Sequence, residues 1–239
     1  MFKFKDVKKL VVNLDRRPER LIEFQKEMDF MGWEFERFSA IDKNSYVGCA
    51  LSHKKIAEEF LKTEDEYLLV MEDDLFFMPY TKEIIKDIEK SLNENEWDFF
   101  HLGPSLHRPV DLFNEHLIDL TNVPPKDEDK HRGIFGTTAF VLTKKSAEVV
   151  ANWDTNKYII NNHQQIAIDD YFYRVVYKEC RSLGPAKTMT TQVDNFSDIG
   201  QCFYSNHYNL TYNWNAYVPK KIPQMMYNLE YCKNLKNES

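Results

Sequence analysis

Cysteine is scarce in this sequence, and its placement argues against a zinc-finger module. The four cysteines, Cys49, Cys180, Cys202 and Cys232, are widely scattered among 239 residues. They form no CxxC pair and no zinc-finger spacing. We therefore expect reduced thiols, as in a cytosol-like compartment. A Cys202–Cys232 disulfide is the alternative in an oxidising one.

Long apolar runs are also missing. No segment approaches the apolar length of a transmembrane helix, so we expect no membrane span. The stretch Leu10-Val11-Val12 near the basic N-terminus is too short for the core of a signal peptide, and no cleavage pattern follows it. These two absences predict a cytoplasmic protein.

Positive charge is in deficit, and the rest of the composition is ordinary. The formal net charge is -7, which argues against non-specific binding of nucleic acid because that requires a basic surface. Hydrophobic residues make up 43% and charged residues 29%, as in soluble globular proteins. The length predicts a single α/β domain over residues 1–200, with a C-terminal extension over 201–239 that wraps it.

Strand and helix patterns alternate along the chain. The apolar runs predict strands at Lys9–Leu14, Trp33–Phe38, Tyr67–Met71, Trp97–Leu102 and Thr137–Leu142. Helical spacing or composition predicts helices from Pro18 through Met28, at Gly48–Leu61, over Ile84–Leu92, at Ser146–Trp153 and over Ile168–Val176. This alternation is typical of an α/β fold whose central sheet is largely parallel.

Three consecutive carboxylates follow the most apolar run in the chain. Glu72, Asp73 and Asp74 come directly after Tyr67–Met71, which has the pattern of a strand buried on both faces. Open α/β sheets bind ligands at the carboxyl ends of their strands. Side chains alternate along an extended backbone, so Glu72 and Asp74 are expected to hold Mn²⁺ or Mg²⁺ and Asp73 to face the other way. The alternative is a solvated acidic turn.

The turn after the first strand carries polar and basic groups suited to a nucleotide. Asn13 ends the strand, and Arg16, Arg17 and Arg20 follow on the turn and the first helix. Arginine recognises phosphate through two parallel hydrogen bonds. A solvated basic helix start explains the same pattern equally well.

Two further segments carry candidate groups. Ser52 and His53 lie in the early turns of the second helix, and a histidine in such a place is more often structural than a ligand. Asp169 and Asp170 begin a later helix, where carboxylates commonly act as caps. One of the pair could instead be a general base for an acceptor hydroxyl.

Taken in order, these motifs resemble glycosyltransferase family 25, which includes lipopolysaccharide-type and procollagen galactosyltransferases. The matching segments are Val12–Arg20, Gly48–His53, Val70–Asp74, Gly136–Thr143 and Ile168–Asp170. The resemblance implies a GT-A-like fold with a Rossmann-type, mostly parallel sheet flanked by helices. It also implies inverting transfer of galactose or glucose from a UDP-sugar and, in many members, a divalent metal.

The resemblance also assigns roles to residues. Glu72 and Asp74 match the metal-binding acidic motif, and Asp73 would approach the donor. The family's nucleotide-side segment is matched by Asn13, Leu14, Arg16 and Arg20. A second family motif is matched by Ser52 and His53, which are also expected to bind the donor. His207, with His163 behind it, is the candidate for a late metal-binding histidine, and Asp198 is a further acidic candidate.

The implied reaction is direct displacement at the anomeric carbon by an acceptor hydroxyl. Asp170 is the first candidate for the base and Asp169 the second. The acceptor would be a glycan, a lipopolysaccharide or a collagen-like protein, stacked on Tyr204, Tyr208, Tyr212 and Trp214 unless these belong to the core. Two other interpretations are a catalytically silent nucleotide-sugar or carbohydrate-binding module and, less favoured, a receiver-type phosphoryl-transfer domain.

Overall fold

A computed structural model describes the chain over residues 1–43, 46–106, 110–121, 123, 133–154, 159–160, 164–165, 167–193, 195–197 and 202–204. The helices are α1 (Pro18–Met31), α2 (Tyr46–Phe60), α3 (Thr81–Asn93), α4 (Lys144–Ala151), α5 (Ile168–Tyr171) and α6 (Tyr177–Glu179). A 3₁₀ turn at Phe4–Asp6 precedes them, and a π-helical turn at Phe172–Val176 joins α5 to α6.

The strands form one large sheet and several short pairs. The strands are β1 (Lys8–Asn13), β2 (Glu36–Ser39), β3 (Tyr67–Glu72), β4 (Leu75–Phe77), β5 (Phe99–His101), β6 (Ser105–Leu106), β7 (Asp111–Leu112), β8 (Leu117–Asp119), β9 (Ile134–Phe135), β10 (Ala139–Thr143), β11 (Ile159–Ile160), β12 (Gln164–Gln165), β13 (Ser182–Pro185), β14 (Thr190–Gln192), β15 (Asn195–Ser197) and β16 (Cys202–Tyr204).

The large sheet has eight strands in the order β2-β1-β3-β10-β5-β13-β8-β7. Its pairings make six strands run one way, while β10 and β8 run the other way. The predicted α/β class, with a mostly parallel central sheet flanked by helices, is therefore confirmed. The antiparallel direction of β10 adds a feature that the sequence patterns did not indicate.

The core lies on both faces of this sheet because alternate residues of its strands point to opposite sides. Leu68 and Val70 of β3 pack into a cluster with α2, α4 and the α5–α6 region. Leu69 and Met71 pack into a second cluster with α1, α3 and the N-terminal Phe2 and Phe4. The continuous apolar run of β3 thus reflects a central strand that is covered on each side.

Two regions of the chain depart from the predicted pattern of elements. The strand predicted over Trp33–Phe38 is observed at Glu36–Ser39, because pairing with β1 begins only where Leu10 meets Glu36. Trp33 instead packs into the core, stacked on Phe4. Beyond Gly184, where little regular structure is expected, β14 pairs with β4 and so joins the tail to the region just after the acidic residues.

No helix within the described residues is long and apolar enough to cross a membrane.

Candidate active site at the carboxyl ends of β1 and β3

Strand register brings two of the sequence motifs together. The strands β1 and β3 are adjacent and parallel, with Val12 beside Glu72, so Asn13 and Asp73 leave the sheet side by side. β10 runs in the opposite direction, and its beginning therefore lies at the same edge. The Glu72 amide donates to the Thr138 carbonyl at 2.9 Å. Residues before β10 thus join those that follow β1 and β3.

Asp73 is the centre of the first cluster. Its carboxylate accepts a hydrogen bond from Asn13 Nδ2 at 2.7 Å and another from Arg20 Nη1 at 2.9 Å. The Asp73 and Arg20 side chains are only 9% and 15% exposed, so this ion pair is largely shielded from water. Asn13 is itself held by Arg37 of β2, which donates from Nε to Asn13 Oδ1 at 2.9 Å.

Asp74 lies near Arg20, just after the end of β3. Its Oδ2 is 3.9 Å from Arg20 Nη1, the nitrogen that also contacts Asp73. The expectation that the backbone stays extended through Asp74 is wrong, because β3 ends at Glu72 and Asp73 and Asp74 form a turn. Simple alternation therefore does not govern the directions of the three carboxylates.

Glu72 is the centre of a second cluster, made of neutral polar groups and a histidine. Thr137 Oγ1 donates to Glu72 Oε1 at 2.6 Å, and His53 Nε2 lies 3.4 Å from the same oxygen. Cys49 Sγ lies 3.7 Å from it. Gln192 Nε2 is 3.5 Å from the other carboxylate oxygen. We refer to Cys49, His53, Glu72 and Thr137 as the Glu72 cluster.

The two carboxylates respond differently to their surroundings. Burial raises the pKa of Asp73 above its ordinary value, although Arg20 and Asn13 oppose that shift. Burial acts in the same direction on Glu72, but the nearby His53 and the hydrogen bond from Thr137 hold its pKa below the ordinary value. Burial and the nearby Glu72 and Asp169 carboxylates raise the pKa of the Cys49 thiol well above its usual range.

The two acidic residues of α5 have separate environments. Asp170 pairs with Arg174 one helical turn later, with Oδ1 accepting from Nε at 2.8 Å. Asp169 is partly buried and accepts a hydrogen bond from the Asp170 amide at 2.8 Å. Burial raises the pKa of Asp169, and the negative charge of Glu72 adds to that increase. Asp169 therefore lies within the electrostatic range of the Glu72 cluster.

A buried histidine extends this side of the site. His101, at the end of β5, is fully buried, and its Nδ1 lies 2.8 Å from the Tyr177 hydroxyl. Its Nε2 has no hydrogen-bond partner among the described residues. Burial lowers the pKa of His101 to about 3, so its imidazole is neutral at physiological pH.

The start of α2 is fixed by a close backbone approach. A Cβ on Gly48 would lie 2.5 Å from the Ile41 carbonyl oxygen and 2.7 Å from that of Lys43, so only glycine fits there without displacement. Ser52 is fully buried, donating to the Gly48 carbonyl and accepting from the Ile41 amide, each at 2.8 Å. Its observed contacts are thus within the fold, and its predicted donor contact stays a prediction.

The remaining nucleotide-side residues lie around the β1–α1 turn. The Leu14 carbonyl accepts from the Arg17 amide at 2.9 Å and closes the turn. Arg16 is exposed and pairs with Asp42 at 3.0 Å. His163, Asp198, His207, Tyr208, Tyr212 and Trp214 lie outside the described residues, as does the side chain of Tyr204.

Four side chains of the site were not among the predicted site residues. Cys49 and Thr137 stand inside the segments Gly48–His53 and Gly136–Thr143, so their positions carried a signal. Gln192 lies on β14, and the pairing of β14 with β4 explains its contact with Glu72. Arg37 lies on a strand with no motif, and only the pairing of β2 with β1 reveals its contact with Asn13.

Comparisons with known proteins agree with these motifs. The family described as glycosyltransferase family 25 (LPS biosynthesis protein) matches residues 43–172. Proteins named "Glycosyltransferase 25 family member" are similar, with 27% identity over 123 residues in Aedes aegypti and 26% over 126 residues in Anopheles gambiae. Each alignment covers 39% of this chain and about a fifth of the mosquito protein (20% and 21%).

Two solved structures that match this chain have low sequence identity to it. One is the crystal structure of a glycosyltransferase involved in the glycosylation of the major capsid of PBCV-1. Its alignment covers 82% of this chain and 96% of the viral-capsid glycosyltransferase chain, with 13% identity and a TM-score of 0.43. The inositol-1-phosphate CTP transferase from T. maritima covers 82% and 93%, with 15% identity and a TM-score of 0.41.

The family match includes the Glu72 cluster, Asp73, Asp74 and both acidic residues of α5, and it extends over more than half of the 239-residue chain. The chain therefore belongs to glycosyltransferase family 25.

Proposed function

We propose that this glycosyltransferase moves galactose or glucose from a UDP-sugar to an acceptor hydroxyl on a glycan, a lipopolysaccharide or a collagen-like protein, with inversion at the anomeric carbon. The observation that carries the proposal is the Asp73 network at the carboxyl ends of β1 and β3. Asn13 and Arg20 hold its carboxylate at 2.7 and 2.9 Å, which fixes a hydrogen-bond acceptor where open α/β sheets bind ligands.

In this proposal the network of Asp73, Asn13 and Arg20 binds the donor. The fixed carboxylate of Asp73 accepts hydrogen bonds from sugar or ribose hydroxyls. Arg20 lies beside it, and Leu14 and Arg16 border the same turn, where the exposed Arg16 guanidinium would meet phosphate oxygens.

Divalent metal use belongs to the same proposal. Asp74 and Glu72 supply carboxylate oxygens around the end of β3, the ligand type that Mn²⁺ and Mg²⁺ prefer. An ion held there would supply positive charge that stabilises the departing UDP. His207 stays a predicted additional ligand.

For the general base, we favour Asp169 over Asp170. The Asp170 carboxylate is already engaged in an ion pair with the Arg174 guanidinium at 2.8 Å, so it is less free to meet an acceptor hydroxyl. The pKa of Asp169 is raised by burial and by Glu72, so its carboxylate takes up a proton more readily. Asp169 would accept the acceptor's hydroxyl proton as the oxygen attacks.

The test is UDP release from UDP-galactose and UDP-glucose, with Mn²⁺ and with excess chelator. We expect turnover with one donor in Mn²⁺ and a loss in chelator. Asp169→Asn should lower kcat on the order of a hundredfold, as expected for loss of a general base, and the paired variant Asp170→Asn should lower it less than tenfold. A larger loss in Asp170→Asn would return the base to Asp170. Binding of UDP with no turnover of any donor would indicate the silent binding module.

A further inference from the structure

Three side chains of different chemical type converge beneath the acidic motif. Cys49 and His53 are four residues apart on α2, so both project from one face of the helix. Glu72 reaches them from the end of β3. Cys49 Sγ, His53 Nε2 and a Glu72 carboxylate oxygen all lie within 4.8 Å of one another.

The distances from Glu72 to Cys49 and to His53 are compatible with those between ligands of one metal ion. His53 Nε2 and Glu72 Oε1 are 3.4 Å apart, beyond the usual range for a good N–H···O bond. Bond lengths of about 2.0 to 2.3 Å at tetrahedral angles place nitrogen and oxygen ligands about 3.4 Å apart, and sulfur and oxygen about 3.6 Å apart. The Cys49–Glu72 separation of 3.7 Å agrees with the second value.

The ligand set also selects the kind of ion. Thiolate and imidazole bind borderline and soft transition metals, whereas Mg²⁺ and Mn²⁺ prefer oxygen ligands. One thiolate and one carboxylate neutralise a divalent ion, which lowers the cost of holding its charge in a shielded place. The His53 side chain is fully buried and that of Glu72 is 17% exposed.

We propose that Cys49, His53 and Glu72 bind one zinc-class divalent ion, Zn²⁺ itself in the simplest case, through sulfur, Nε2 and a carboxylate oxygen. On binding, the Cys49 thiol releases its proton to solvent and the thiolate forms the bond to the ion. Three protein ligands leave a fourth position open, as in zinc sites that take up water or a substrate oxygen.

The surrounding structure holds two of the ligands in place. Thr137 Oγ1 donates to Glu72 at 2.6 Å, and such an outer contact orients a carboxylate ligand. Gly48 and Ser52 fix the first turns of α2 against residues 41–43, which places Cys49. Glu72 and Cys49 are therefore held in place before any ion binds.

This inference concerns the acidic motif of the proposed function, because Glu72 is shared, but it does not rest on the identity of the donor. A zinc-class ion held by Glu72 would leave Asp74 to meet Mn²⁺ or the diphosphate. The binding test below is therefore carried out without nucleotide, donor or acceptor, so its failure and a failure of UDP-sugar turnover are separate results.

The decisive experiment is a titration of the metal-free, reduced 239-residue chain with Co²⁺, followed by displacement with Zn²⁺. We expect one equivalent of Co²⁺ to produce the thiolate-to-cobalt charge-transfer absorption, and Zn²⁺ to abolish it. A hundredfold excess of Mn²⁺ over Co²⁺ should leave the band in place, since Mn²⁺ is the weakest binder of the divalent series.

Variants locate the site. Cys49→Ser should remove the band, and His53→Gln should weaken Co²⁺ binding on the order of a hundredfold. Cys180→Ser is the matched control, because Cys180 is a free, buried cysteine outside the Glu72 cluster. It should retain both the band and the affinity. A band that survives in Cys49→Ser, or that disappears in Cys180→Ser while the variant is folded, would overturn the assignment.

Alkylation of the unaltered chain gives a measurement that does not depend on variant folding. Zn²⁺ should slow the reaction of Cys49 with iodoacetamide at least tenfold, as measured by peptide mass spectrometry. Absence of a charge-transfer band in the wild-type chain, or an unchanged alkylation rate of Cys49, would show that the cluster is only a hydrogen-bonded group.

Discussion

Glu72 and Asp73 are neighbours in the chain, yet they belong to different chemical environments. Asp73 faces a guanidinium and an amide, so its charge is balanced by Arg20. Glu72 faces a thiol and an imidazole, which can bind a cation together with it, and a hydroxyl that orients it. The end of β3 and the turn that follows it create this division. One acidic motif can therefore serve two kinds of ligand.

The largest effect is expected when Asp74, the third carboxylate of the motif, is removed. Asp74→Ala should lower the rate of UDP release on the order of a hundredfold or more, if metal stabilisation of the leaving group contributes several kcal/mol. The measurement is UDP release at saturating Mn²⁺. Asp87→Ala, an exposed substitution on α3, is the control and should keep full activity. Equal activity in the two variants would remove Asp74 from the site.

The second prediction removes Arg20, the positively charged partner of Asp73. Arg20→Met leaves a largely buried Asp73 carboxylate without its guanidinium and should lower the free energy of unfolding by about 3 kcal/mol. Arg16→Met is the matched control, because the Arg16–Asp42 pair is 48% and 54% exposed and should cost less than about 1 kcal/mol. Urea denaturation measures both. Similar losses would mean that Arg20 does not compensate a buried charge.

The Glu72 side can be tested through pH, using His101. Its folded pKa of about 3 lies below the unfolded value, so the unfolded chain takes up a proton first as the pH falls. Stability is therefore expected to decrease from about pH 6.5 toward pH 3, by at most about 1.4 kcal/mol per pH unit from this group.

The measurement compares the slope of unfolding free energy against pH in the wild type and in His101→Asn. The variant should be less stable at neutral pH but should show a shallower slope between pH 4 and 6, since the titrating group is gone. An unchanged slope would mean that His101 is charged in the folded protein.

The smallest effect concerns the placement of α2. Gly48→Ala forces the backbone near Ile41 and Lys43 to move and should cost about 1 to 2 kcal/mol. Gly32→Ala should cost a similar amount for another reason, because Gly32 has φ of +69° at the end of α1 and no atom crowds it. Only Gly48→Ala should also weaken Co²⁺ binding. Equal Co²⁺ affinity in both variants would separate Gly48 from the metal ligands.

Much of this arrangement follows from local patterns. The apolar run before Glu72 predicts a buried strand, and the parallel pairing of neighbouring strands brings Asn13 to Asp73. The partners of Glu72 do not follow in this way. Thr137 reaches Glu72 because β10 runs antiparallel between β3 and β5, and Gln192 does so because β14 pairs with β4. Strand order over such sequence distances depends on packing of the whole sheet, which no local periodicity encodes.

The position of β10 also bears on the timescale of motion at the site. Its backbone is hydrogen-bonded to β3 on one side and to β5 on the other, and both core clusters cover it. Amides in such a strand exchange with deuterium only when the whole domain opens. Residues 140–142 should thus be among the slowest-exchanging amides of the chain. Thr137, three residues earlier, is anchored to this slow region.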